Sequence, residues 1–137
     1  MRLEDYKLQL SLRIDYSELD TYNHVNNVAF IKYMQSARVH FWEISGLYKL
    51  HAETKKGPML VSTTCDFKKQ LTYPGDIVVR TKVAHIGNSS FSLEHLILNS
   101  DNAICAIGKD VAVCFDFNRQ NTFLIPDWLR TTMKTYT

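Results

Sequence analysis

The spacing of apolar residues changes from one period to another within the first part of the chain. From Tyr6 to Tyr16, apolar and polar residues alternate without a break, which is the pattern of a β-strand with one buried face. After a polar turn over 17–23, apolar residues recur every three or four positions, as in an amphipathic helix. These are Phe30, Ile31, Met34, Ala37, Phe41 and Ile44. The pattern predicts a strand and then one long helix, for which Gly46 is a natural C-terminal stop.

Alternation returns after the helix and continues through most of the remaining chain. It predicts four further strands, over Met59 to Gln70, Ile77 to His85, Ser90 to Asn99 and Ala103 to Phe117. The connections between them are rich in Gly, Pro, Asn and Asp and are too short for parallel crossovers, so the sheet should be mainly antiparallel. A short helix is expected after Pro126, and the lysine-rich stretch 51–57 is interpreted as a solvated loop.

One long helix and about five antiparallel strands predict an α+β architecture in which the helix covers one face of the sheet. The 137 residues fit one domain spanning 1–137, and neither an internal repeat nor a linker is visible. The proportions of hydrophobic (45%) and charged (22%) residues are those of a soluble globular protein.

Charge and cysteine content exclude several functional classes. A net charge of +2 with scattered basic residues gives no footprint for nucleic acid, and no apolar run approaches the roughly 18 residues of a membrane span. The N-terminus lacks the apolar core of a signal peptide. Cys65, Cys105 and Cys114 match neither a zinc site nor a redox pair, so we expect reduced thiols and a cytoplasmic location.

Common catalytic motifs are missing. The segment 87–91 (GNSSF) fails the G-x-S-x-G pattern of α/β-hydrolases at its second glycine. The sequence contains no H-E-x-x-H, no complete phosphate-binding loop and no G-x-G-x-x-G. We therefore expect neither a metal ion nor a bound cofactor.

The connection between the first strand and the helix is unusually polar, reading DTYNHVNN over 20–27 and followed by Ala37-Arg38 in the helix. It resembles the loop D-x-x-G-H-V-N-N and the helix ending in A-R of hotdog thioesterases of the 4-hydroxybenzoyl-CoA thioesterase type. The resemblance continues through LTYPGD over 71–76 and SSF over 89–91, and so covers nearly the whole chain. Asn23 replaces the family's glycine, and asparagine is the non-glycine residue that best tolerates a positive φ. An effect of Asn23 on substrate preference stays open.

The resemblance implies a hotdog fold and an acyl-CoA thioesterase that releases a free acid and CoA. It implies Asp20 as general base or nucleophile, and the backbone N–H of Asn27 as the donor that polarises the thioester carbonyl. It also implies at least a homodimer, or a homotetramer, because related sites are built between two subunits. CoA then enters only as part of the substrate, and water is the second reactant.

Elementary chemistry supports the two catalytic assignments. The first amides of a helix have no intrahelical partner and lie at the positive end of its dipole, where a developing oxyanion is stabilised. One such donor accelerates a reaction by about 10² to 10³, so a base or nucleophile must supply more. Asp20 is the acid nearest the predicted helix start, although a turn carboxylate is the alternative for it.

Candidate substrate contacts carry structural alternatives. His24, Val25 and Asn26 lie in the loop, where a structural role for His24 and a helix-capping role for Asn26 are the competing interpretations. Ser89 and Ser90 are expected to run beside the pantetheine arm, as in similar proteins. Glu18 is interpreted as a loop anchor, not as a second catalytic acid.

Three rivals to the acyl-CoA thioesterase stay open. The first is a thioesterase that acts on acyl carrier protein, and the second is a non-catalytic module that binds an acyl thioester. A hotdog dehydratase is the third, although its acid and histidine hydration motif is not evident. The identity of the acyl group is beyond the sequence.

Overall fold

The protein is described by a computed structural model covering residues 2–137. A curled antiparallel sheet forms its frame, with the strand order β1-β3-β4-β5-β2 and a short β6 paired to β5. The strands are β1 (Leu8–Arg13), β2 (Lys56–Phe67), β3 (Asp76–Ile86), β4 (Ser90–Leu98), β5 (Ile104–Asp116) and β6 (Asn121–Thr122). The predicted α+β architecture with about five strands around one long helix is confirmed.

The long helix α1 spans Asn27–Ser45. Asn26 caps its start, where the side-chain oxygen accepts a hydrogen bond of 2.8 Å from the amide of Ala29. Gly46 ends it with a φ of 90°, a left-handed conformation that glycine adopts without steric cost. Both the helix and its predicted end are therefore confirmed.

The predicted loop over 51–57 is wrong. A second helix, α2 (Leu47–Thr54), follows Gly46 directly, and β2 already begins at Lys56. Leu47 is fully buried and anchors the helix, while the residues of 51–56 are exposed. The polar composition of 51–57 therefore predicted the solvent exposure of 51–56 correctly. The packing of Leu47 in the core makes most of this segment part of a helix. The short helix predicted after Pro126 is present as α3 (Asp127–Lys134).

The buried face of α1 divides into two hydrophobic clusters along the helix. Its N-terminal half packs Phe30 and Met34 against Ile97, and its C-terminal half packs Phe41 against Phe91 and Leu129. The aromatic residues of the helix therefore lie mainly in the core, although Trp42 is only half-buried.

A polar network crosses the sheet beneath α1. Nε2 of His95 lies 2.7 Å from Oδ2 of Asp110, and Nδ1 of His95 lies 2.8 Å from Oγ1 of Thr81. Arg38 on α1 pairs with the same Oδ2 at 3.1 Å, and Thr63 on β2 donates to Oδ1 at 2.7 Å. Burial raises the pKa of Asp110, but the hydrogen bonds from His95 and Thr63 and the charge of Arg38 outweigh it and lower that pKa. Both ring nitrogens of His95 therefore have a partner within the fold.

The strand β2 lies at the edge of the sheet and pairs only with β5. Three of its large apolar side chains are exposed: Leu60 at 38%, Val61 at 58% and Phe67 at 45%. A long edge strand with exposed apolar residues offers unpaired backbone groups to another strand. The end of β2 at Phe67 lies beside the start of α1, because the Phe67 ring contacts Phe30 edge-on with centroids 5.2 Å apart.

Candidate functional site

The loop between β1 and α1 is tied to itself and to the sheet by backbone hydrogen bonds. Leu19 and Val25 form an antiparallel bridge, and a second bridge joins His24 to Thr72 in the turn before β3. The amide of Val25 also donates to the carbonyl oxygen of Leu71 at 2.8 Å. This small hairpin therefore has a fixed position relative to the sheet, although its tip is exposed.

Asn23 occupies the tip of the hairpin with a φ of 64°. This is the left-handed region, which asparagine tolerates better than other residues with a side chain. The expectation that Asn23 replaces a glycine without loss of the loop's shape is supported by this backbone angle.

The carboxylate of Asp20 is exposed and partly engaged by its own loop. Oδ1 accepts hydrogen bonds from the amides of Tyr22 (2.8 Å) and His24 (3.1 Å). These two bonds, with the His24 amide contributing most, lower the pKa of Asp20, so the side chain is ionised at neutral pH. Within residues 2–137, Oδ2 takes no hydrogen bond. The turn-carboxylate alternative therefore describes one oxygen of Asp20 and leaves the other available.

The start of α1 presents backbone donors on the same side of the molecule. The Asn26 side chain satisfies the amide of Ala29, and no group among residues 2–137 caps the amides of Asn27 and Val28. Asn27 and Val28 are both exposed. The helix-capping interpretation of Asn26 is confirmed, and the role of the Asn27 amide as an oxyanion donor stays a prediction.

An open cavity of about 510 Å³ joins the hairpin to the helix start. Its lining includes every loop residue predicted to be catalytic or to contact the substrate, namely Asp20, His24, Val25, Asn26 and Asn27. The remaining wall consists of Phe30, Phe67, Lys68, Lys69 and Gln70. A carboxylate, helix amides, two aromatic rings and two cationic side chains thus surround one space.

Comparison with known proteins identifies the family of this fold and site. The family model of the thioesterase-like superfamily matches residues 14–132. The chain belongs to the thioesterase-like superfamily. The predicted family, hotdog fold and thioesterase-type enzyme are thereby confirmed.

Relatives of this thioesterase-like protein share its fold over most of their length. A predicted thioesterase from Bacillus stearothermophilus is 25% identical, with a TM-score of 0.83 over 94% of this chain and 95% of its own. BH1999, a gentisyl-coenzyme A thioesterase, is also 25% identical, with a TM-score of 0.80 over 92% of this chain and 99% of its own. The uncharacterized protein YsmA of Bacillus subtilis is 24% identical over 82% of this chain and 78% of its own.

Two predicted contacts of this thioesterase-like protein lie outside the cavity. Ser90 starts β4 opposite Val113, and the carbonyl of Ser89 accepts from the amide of Cys114. Both serines therefore sit near the cluster beneath the C-terminal half of α1, and the protomer does not bring them to Asp20. Their role beside a pantetheine arm stays a prediction.

Sequence reasoning missed the contribution of β2 to the wall. Lys68 and Lys69 are exposed just beyond the end of β2, and both line the cavity of the thioesterase-like fold. Their amides share the carbonyl oxygen of Cys105 at 2.8 and 3.1 Å, which fixes the backbone beyond Phe67. An aromatic residue followed by two lysines at a strand end was the available signal, but its neighbour Phe30 is distant in sequence.

The described part of the chain contains neither a metal-binding cluster nor a helix suited to span a membrane. No group of three or more His, Cys, Asp or Glu side chains is arranged to hold a metal ion among residues 2–137. Over the same range, no helix has the length and apolar character needed to cross a membrane.

Proposed function

We propose that the protein hydrolyses an acyl-CoA thioester to a free acid and CoA at the cavity between the hairpin and α1. The supporting observation is that Asp20 and Asn27 line the same cavity. Among residues 2–137, Oδ2 of Asp20 takes no hydrogen bond and the amide of Asn27 has no cap. A thioesterase needs a nucleophile or base on one side of the carbonyl and a donor at its oxygen. The cavity supplies one of each.

The reaction proceeds through a tetrahedral intermediate whose oxyanion accepts a hydrogen bond from the amide of Asn27. In one route Asp20 takes a proton from a water molecule while that water attacks the carbonyl carbon, and CoA leaves as the thiolate. In the other route Oδ2 attacks directly, expels the thiolate and forms a mixed anhydride that water then cleaves. The lowered pKa of Asp20 keeps the carboxylate in the ionised form that both routes need.

A CoA ester is favoured over other thioesters by the charge of the cavity wall. Lys68 and Lys69 place two ammonium groups next to a site that otherwise carries a single acid, and phosphate groups of CoA are complementary to them. The similar protein BH1999 is a gentisyl-coenzyme A thioesterase. The protein itself supplies all catalytic groups in this proposal, and it needs no bound cofactor.

The proposal includes a homodimer formed through the edge strand β2. A second copy would cover the exposed Leu60 and Val61 and would lie beside Phe67, which lines the cavity. The exposed Tyr22 (79%) and Val28 (76%) flank the same cavity and add apolar surface there. A dimer would therefore complete the open side of the site.

A thiol-release assay with a panel of acyl-CoA esters tests the chemistry. We expect Asp20→Asn to lower kcat on the best substrate by about 10² to 10³, because a positioned base contributes on that order. Asp101→Asn, at an exposed turn residue that does not line the cavity, is the matched control and should keep the parent rate. An Asp20→Asn variant that turns over as fast as the parent would refute the assignment.

The same assay separates the alternatives. Cleavage of acyl carrier protein thioesters without cleavage of acyl-CoA would identify a carrier-directed thioesterase. Saturable binding of acyl-CoA without release of thiol would identify a non-catalytic module. Either result contradicts the proposed function.

Light scattering coupled to size-exclusion chromatography tests the dimer. We expect the parent protein to elute as a dimer or larger, and Val61→Lys to shift it toward monomer because a buried ammonium at the edge opposes pairing. Leu124→Lys places the same charge at a more exposed apolar residue, 71% exposed and outside β2, and should leave the mass unchanged. A parent protein that is monomeric at all concentrations tested would overturn the dimer.

A further inference from the structure

A second carboxylate lies just before the hairpin and is buried. Glu18 is 7% exposed, although the adjacent hairpin tip is open to solvent. It does not belong to the residues that line the cavity. Burying an acid is costly unless its oxygens are hydrogen-bonded, so the partners of Glu18 indicate what it does.

Every polar group of Glu18 has a partner. Oε1 accepts from the hydroxyl of Tyr33 at 2.7 Å and from the amide of Asp15 at 2.8 Å. Oε2 lies 3.3 Å from Nζ of Lys32. The carbonyl oxygen of Glu18 accepts from the amide of Asn26 at 2.9 Å, and its own amide donates to the carbonyl of Asp15 at 3.0 Å.

These hydrogen bonds join three parts of the molecule that must keep a fixed relative position for the proposed chemistry. Asp15 lies two residues beyond the end of β1, Tyr33 and Lys32 belong to α1, and Asn26 is the residue that caps α1. Asp20 stands between the two ends that Glu18 connects. The position of its carboxylate relative to the amide of Asn27 therefore depends on Glu18 and on the tyrosine that holds it.

Tyr33 is suited to this role because it remains a donor. It is 2% exposed, and burial together with the hydrogen bond to Glu18 raises the pKa of its hydroxyl. Its proton therefore stays on the tyrosine at neutral pH. The hydroxyl of Tyr33 ties the helix to the acid through one short contact.

We infer that Glu18 and Tyr33 are positioning residues that hold the Asp20 carboxylate in register with the Asn27 amide. The inference rests on the proposed function. Glu18 acts through Asp20 and not on the thioester, because both of its oxygens are engaged and it lies outside the cavity.

The central experiment is a comparison of Tyr33→Phe with Tyr6→Phe. Tyr6 is also 2% exposed and donates to a glutamate, Glu94, at 2.8 Å, but it packs with Leu96 and Leu98 away from the cavity. We expect Tyr33→Phe to lower kcat about tenfold with little change in KM, because small misplacements of a reacting group cost rate rather than binding. Tyr6→Phe should cost similar stability and leave kcat unchanged. Equal kcat for the two variants would overturn the inference.

A double-mutant cycle shows whether Tyr33 acts through Asp20. Adding Tyr33→Phe to Asp20→Asn should lower kcat by less than twofold further, since residues that act as a unit are not additive. A full tenfold further loss would mean that Tyr33 works independently and would overturn the inference. If Asp20→Asn alone leaves kcat unchanged, the proposed function fails and the inference fails with it. If Asp20→Asn lowers kcat but Tyr33→Phe and Tyr6→Phe have equal kcat, only the inference fails.

Conservative replacement of Glu18 tests its role from the other side. Glu18→Gln keeps an oxygen acceptor for Tyr33 and Asp15 and should retain most of the activity, whereas Glu18→Leu should lose at least as much as Tyr33→Phe. In Glu18→Leu the acid limb of the kcat/KM profile should also move to higher pH, because a looser hairpin weakens the amide bonds that lower the pKa of Asp20. A Glu18→Gln variant as inactive as Asp20→Asn would make Glu18 a reacting group and overturn the positioning role.

Discussion

Two aspartates in this protein have lowered pKa values for different reasons and with different consequences. Asp110 is buried, and its oxygens are shared among His95, Arg38 and Thr63 beneath α1. Asp20 is exposed, and one of its oxygens is held by backbone amides while the other takes no bond within residues 2–137. The buried pair of Asp110 and His95 looks more like a catalytic dyad, yet it lies in the interior and does not line the cavity that contains Asp20.

The comparison teaches that accessibility of a reactive atom, not the residue pair, marks the candidate site. In the network of Asp110 every strong acceptor is already satisfied by protein, which stabilises the fold and leaves nothing for a substrate. At Asp20 the loop fixes the side chain through Oδ1, and among residues 2–137 the second oxygen of this cavity-lining residue takes no hydrogen bond. Chemistry needs this incomplete satisfaction.

The largest expected effect comes from removing the buried acid. Asp110→Ala leaves the guanidinium of Arg38 without its partner, and breaking a buried ion pair from one side costs about 3 to 5 kcal/mol of unfolding free energy. Urea denaturation measures the loss. The double variant Asp110→Ala with Arg38→Met should recover part of it, and a loss for Asp110→Ala of less than 1 kcal/mol would contradict the structural role.

The next largest effect is expected from a substitution at Asn23, the tip of the hairpin. Asn23→Val forces a β-branched residue to a φ of 64°, where the left-handed conformation costs about 1 to 2 kcal/mol. We expect lower stability and a lower kcat, because the strain falls on the loop that carries Asp20. Asn23→Gly is the control and should match the parent in both measurements. An unchanged kcat in the valine variant would show that the tip does not influence the site.

The pH dependence distinguishes the two aspartates by the property that each one affects, because the pKa shifts have the same direction. Both pKa values are lowered, so each carboxylate stays ionised below the ordinary aspartate pKa of about 3.9. Stability from Asp110 is fully present above that value and is lost as pH falls through its folded pKa. The acid limb of kcat/KM should likewise lie below about pH 3.9, measured by brief pH jumps that precede unfolding. An acid limb near pH 6 would indicate a different catalytic group.

The smallest expected effect is that of Asp20 on stability. Because the carboxylate is exposed and its partners are loop amides that water also solvates, Asp20→Asn should leave the denaturation midpoint close to that of the parent. Loss of activity without loss of stability would then be the reverse of the Asp110 result. A large destabilisation would instead support a mainly structural role for Asp20.

The sequence predicted the elements that have a clear local pattern of apolar residues or a glycine at their end. Strict alternation marked the strands, the spacing of Phe30, Met34 and Phe41 marked α1, and Gly46 marked its end. The helix α2 was missed because eight residues with few apolar positions give a weak period, and the burial of Leu47 that stabilises them is a tertiary event.

The residues of the site likewise include some that the sequence predicted and some that it did not. Asp20, His24 and the helix start are close in sequence, so one motif located them, and Asn26 could be predicted as a cap from its residue type. Lys68 and Lys69 reach the cavity only because β2 runs along the sheet edge and ends beside Phe30. The partnership of Glu18 with Tyr33 depends on the angle between hairpin and helix, which no sequence period encodes.

The exposed edge of β2 would make turnover depend on the abundance of the protein if two copies pair there, as proposed. If a second molecule closes the cavity there, dilution separates the halves and turnover per molecule falls, whereas abundance restores it by mass action. A cell that makes little of this chain would then lose more hydrolysis than the reduction in copy number alone implies.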